Sequence, residues 1–126
     1  MIKTVLFLTS LLILGLLLAG CPTGQPDQQA RDINAALQGA IVQAQSQYLT
    51  ECKADPAKLP CTTINRAVDG QNALTSAIEI YCGWPVGVNI PSDTQCKANK
   101  SALASLQAAA ASANQLTLEV KGLVKP

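Results

Sequence analysis

The cysteines are the residues of this 126-residue chain best suited to covalent chemistry, and there are five of them. Histidine is absent. That removes the commonest general base and activator of nucleophiles, together with every His-containing metal site. Cys52, Cys61, Cys82 and Cys96 have neither the close paired spacing of a zinc centre nor a Cys-x-x-Cys redox pair. No Gly-rich phosphate loop or Gly-x-Ser-x-Gly elbow occurs. The carboxylates are scattered, with Asp27 and Asp32 near the start of one expected helix and Glu51 and Asp55 near its end. A converging acid pair of the glycosidase kind would have to be assembled from different helices. These residues point to a non-catalytic protein with no catalytic residue, no metal and no cofactor.

Cys21 has a different setting. Met1-Ile2-Lys3-Thr4 supplies a positive start, and Val5 to Leu18 is an apolar run interrupted only by Thr9, Ser10 and Gly15. Small residues, Ala19 and Gly20, lead into Cys21. This is the layout of a secretory signal, and its apolar run is shorter than the roughly 20 residues that span a bilayer. Leu18-Ala19-Gly20-Cys21 resembles the lipobox of bacterial lipoproteins, position by position, although the resemblance covers only the leader. It implies a diacylglyceryl thioether on the Cys21 sulfur, cleavage after Gly20, and usually a third acyl chain on the new N-terminus. Two or more acyl chains give stable anchoring, whereas one gives only marginal binding. The resemblance also implies the bacterial cell envelope. Pro22 stands where an Asp would signal retention, which implies the outer membrane, facing the periplasm. The expected layout is a signal peptide over 1–20, a lipidated tether over 21–27 and a helical domain over 28–126.

Removing the leader takes Lys3 and no acid, so the formal net charge falls from +1 to zero. No basic face recommends a nucleic-acid partner, and no polybasic patch is present to hold anionic lipid. Beyond the leader the aromatics are only Tyr48, Tyr81 and Trp84. A core this thin needs staples. Once Cys21 is set aside, four cysteines remain. An even count in an exported chain reads as two disulfides, which an oxidising compartment permits.

The elements that position these groups are helices. Ile33, Leu37, Ala40, Ala44 and Tyr48 share one helical face, widened by Ile41, over a stretch from Gln28 to about Glu51. Asp27 is a candidate N-cap, and Asp55-Pro56 ends the helix. Thr62 or Thr63 can cap a second helix, whose face carries Ile64, Ala67, Gln71, Leu74, Ile78 and Tyr81. Asp69-Gly70 within it is either a turn that splits the helix or a point of close helix contact. Gly83 suits a left-handed terminus. Ser92 and Gln95 have capping-box spacing and would open a third helix running to about Lys121, with Leu106, Ala109, Ala113, Leu116 and Val120 inward. The fold class is therefore all-α, a small three-helix up-down-up bundle stapled by two disulfides.

Helix geometry then selects the disulfide pairing. Cys61 and Cys82 mark the two ends of the second helix, about 30 Å apart if it is continuous, whereas bridged alpha carbons lie about 4.4–6.8 Å apart. In an antiparallel hairpin Cys52 is equally remote from Cys82. Cys52–Cys61 and Cys82–Cys96 remain.

The segment Trp84 to Pro91 holds too much Pro and Gly for a helix and is more apolar than a solvated loop needs. It is either folded back on the bundle end or exposed as a patch that meets a partner, with Trp84, Val86, Val88 and Ile90 as the contact residues. The expectation is thus a membrane-anchored envelope lipoprotein with a structural or interaction role and an envelope protein as its partner. The competing reading is a small binding or inhibitory module that presents Trp84–Ile90 to a secreted enzyme, toxin or phage component.

Overall fold

Three helices, each packed on both others, make the fold seen in the computed structural model, which describes residues 25–89 and 94–126. The leader, the lipobox, Cys21, Ile90 and Ser92 lie outside the described residues.

Helix α1 spans Pro26–Ala54. It starts two residues before the expected Gln28, because Pro26 suits a first helical position: its missing N–H would lack a partner there in any case. Asp27 is therefore not the cap. It sits buried in the first turn, where the helix dipole favours an acid, and it pairs with Arg31 at 3.3 Å. Asp55 follows as the C-terminal cap, and its carboxylate accepts from the Ala57 N–H at 3.2 Å.

Helix α2 spans Leu59–Cys82. Pro60 opens it ahead of both expected caps, and the Thr62 and Thr63 hydroxyls instead donate to the Leu59 carbonyl at 3.0 and 2.9 Å. The helix runs unbroken through Asp69-Gly70. A methyl group at Gly70 would collide with the Leu116 side chain, so this glycine marks a close helix contact and not a turn. Gly83 ends the helix in the left-handed region, with φ 70°.

The third helix differs most from expectation. A 3₁₀ turn over Lys100–Ala102 leads into α3, Leu103–Leu123, well beyond Ser92. Residues 94–99 are irregular because they serve the end of α2. The Lys97 and Asn99 N–H groups donate to the carbonyls of Cys82 and Tyr81, at 3.1 and 2.7 Å. Such terminal carbonyls have no partner within their own helix. The capping role falls to Asn99, whose side chain accepts from the Ser101 N–H at 3.2 Å.

Leu37, Leu74, Leu106 and Val120 are wholly buried, with Ala44, Ala67 and Ala113 letting the backbones close around them. Ile41, Ile64, Ile78 and Tyr81 complete the core. At the far end the Tyr48 hydroxyl donates to the Leu123 carbonyl at 2.6 Å, tying α1 to the end of α3. Both disulfides pair as the geometry required: Cys52–Cys61 with alpha carbons 5.5 Å apart, and Cys82–Cys96 at 4.4 Å. Each staples one interhelical connection. Among the described residues no helix is long and apolar enough to cross a membrane.

Candidate functional site

The bundle has two chemically distinct ends. One holds the start of α1, the end of α2 and the loop that follows it; the other holds the α1–α2 connection and the end of α3.

At the first end, Gly83 and Pro85 stop α2 and turn the chain back. Glu79, in the last turn, is buried. Its backbone carbonyl accepts from the Trp84 N–H at 2.8 Å, and its carboxylate accepts from the Gly87 N–H at 2.9 Å. Gly87 takes φ 78°, a conformation a side chain would resist. Trp84 is half-buried against the core. Its indole N–H donates to the Gln95 carbonyl at 3.0 Å, and the Arg31 guanidinium lies 4.7 Å from its ring centroid. The Cys82–Cys96 bridge closes the base of the loop.

The sequence offered two readings of this segment, and the structure divides them. Trp84 folds back and closes the bundle end. Val86 and Val88 do not: they are 57% and 52% exposed. Two apolar side chains are thus held in water by a loop fixed through Glu79, Gln95 and a disulfide. Glu79 and Arg31 were not among the residues singled out by sequence. Glu79 left a faint signal, as a lone acid within Ala77-Ile78-Glu79-Ile80-Tyr81 just ahead of a Gly/Pro loop. Arg31 left none.

Asp27 also belongs to this end. A carboxylate oxygen of Asp27 and the sulfurs of Cys82 and Cys96 lie within 4.8 Å of one another. The sulfurs are joined to each other, so neither offers a thiolate to a metal. The carboxylate is already paired with Arg31.

The other end carries a groove of about 350 Å³, whose wall includes Tyr48, Leu49, Cys52, Pro56, Cys61 and Ile64. Lys53 is its charged group, and no carboxylate lines it. Glu51 faces Lys58 instead, and Glu119 faces Arg66 on the bundle side. These exposed pairs are each worth at most about 1 kcal/mol. Nothing in the groove brings an acid and a base together.

Comparison with protein-family models, curated proteins and solved structures returns no match.

Proposed function

We propose that this chain is a lipid-anchored lipoprotein of the bacterial envelope with a non-catalytic, structural or interaction role. The observation that carries the reading is the lipobox-like Leu18-Ala19-Gly20-Cys21 at the end of a charged and apolar leader. The fold supports it independently. A small domain whose two interhelical connections are closed by disulfides belongs in an oxidising compartment, and a secretory leader delivers a chain to one. Cys21 Sγ carries the thioether-linked lipid, α1 begins a few residues later, and the bundle stands on the outer membrane facing the periplasm. The test is metabolic labelling with fatty acid. Label enters the wild type and is lost in Cys21→Ser, which also escapes lipoprotein-type processing. Label retained in the Ser variant, or absent from the wild type, overturns the proposal.

A second reading, a binding or inhibitory module built on the Trp84 loop, draws on the exposure of Val86 and Val88. An affinity pull-down from solubilised envelopes, comparing wild type with Trp84→Ala, tests it. The loop's position weighs against a soluble partner, which would have to enter the gap between the anchored end and the membrane.

A further inference from the structure

We propose that the Trp84–Val88 loop docks on the lipid bilayer, with Val86 and Val88 entering the headgroup–acyl boundary beside the lipid on Cys21. The inference rests on the lipoprotein reading above and adds an orientation to it.

The length of the tether carries the argument. Helix α1 begins at Pro26, five residues after Cys21. A fully extended chain covers at most about 3.6 Å per residue, so the start of α1 lies no more than about 18 Å from a lipidated Cys21. The loop lies at that same end. Arg31, in the second turn of α1, sits 4.7 Å from the Trp84 ring centroid, and Asp27, in the first turn, is within 4.8 Å of the Cys82 and Cys96 sulfurs. The groove at the opposite end lies about 30–40 Å further along α1, since Gln45 to Lys53 on its wall stand 19 to 27 residues after Pro26 at about 1.5 Å each.

Exposed apolar groups occur at both ends and along the bundle, among them Val42, Leu49, Leu59 and Leu118. Val86, Val88 and Ile80, at 57%, 52% and 52% exposed, are the ones that cluster in the loop and the last turn of α2. Apolar side chains fixed in water at an anchored end meet acyl chains first. Trp84 is suited to the same level, because an indole with an apolar body and a polar tip favours the membrane interface. Its N–H is already bonded to the Gln95 carbonyl, so docking strands no donor. No polybasic patch is needed, since covalent lipid supplies the attachment and the valines supply the tilt.

Trp84 is the only tryptophan, which makes it the reporter. Full-length processed protein, purified from membranes, is reconstituted in phosphatidylcholine vesicles with acyl chains brominated near the headgroup. The expected result is quenching of Trp84 emission, lost in Val86→Asp/Val88→Asp and retained in Leu118→Asp, which places the same change on α3. Circular dichroism confirms that both variants keep their helices. Lipid mass on Cys21 is measured on the same samples. Lipidated protein whose Trp84 is unquenched, or remains open to an aqueous quencher, overturns the docking while leaving the anchor intact. That outcome also favours a protein partner for the loop. Quenching abolished by Leu118→Asp as well overturns the orientation. Absence of lipid on Cys21 removes the anchor and the docking together.

Discussion

Arg31 stacks on Trp84 at 4.7 Å while its guanidinium holds Asp27 at 3.3 Å. This one contact joins the first turns of α1 to the loop after α2, and so joins the end nearest Cys21 to the exposed valines. A cation over an indole contributes about 0.5–1 kcal/mol at an exposed site and more where water is excluded. Arg31→Ala should lower stability by about 1 kcal/mol and shift Trp84 emission. Arg31→Lys should recover part of both. Urea unfolding and fluorescence spectra measure them, and an unchanged spectrum in Arg31→Ala would show that the stack does not persist in solution.

The disulfides should matter unequally. Chain-entropy reasoning assigns about 3 kcal/mol to closing a loop of roughly 15 residues, less any native strain. Cys52→Ala/Cys61→Ala should cost about 2–3 kcal/mol and leave the rest of the bundle in place. Cys82→Ala/Cys96→Ala should cost a similar amount and also release residues 94–99, whose backbone bonds to Cys82 and Tyr81 depend on that closure. Hydrogen exchange at Lys97 and Asn99 would read the difference. Non-reducing peptide mapping should recover Cys52–Cys61 and Cys82–Cys96, and a Cys61–Cys96 peptide would contradict the fold.

Gly70 and Leu116 should be coupled. Alanine in place of a mid-helix glycine gains about 1 kcal/mol from propensity, but here the added methyl meets the end of the Leu116 side chain. Gly70→Ala alone should therefore change stability little. In a Leu116→Ala background the same substitution should stabilise by about 1 kcal/mol. A double-mutant cycle by urea unfolding checks this, and simple additivity would mean that α2 and α3 do not approach closely at Gly70.

The core was legible from periodicity because each helix buries a single stripe. Leu37, Ala40 and Ala44, then Ile64, Ala67, Leu74 and Ile78, then Leu106, Ala113 and Val120 all lie inside as their spacing required. Helix starts were less legible. Asp27, Thr62, Thr63 and Ser92 each have the chemistry of a cap, but a cap also needs the chain to enter at that point. Pro26 and Pro60 begin their helices earlier, and the demands of the α2 terminus on residues 94–99 delay the third. At the loop, composition identified the segment but not its division into a half-buried Trp84 and exposed valines. That division depends on Glu79 and Arg31, contacts no local pattern encodes.

The anchor is the central claim, and the N-terminal peptide of the membrane-purified protein tests it most directly. Mass spectrometry should find that peptide beginning at Cys21, with two or three acyl chains and no leader attached. A peptide beginning at Cys21 without acyl mass, or beginning anywhere else, would contradict the account.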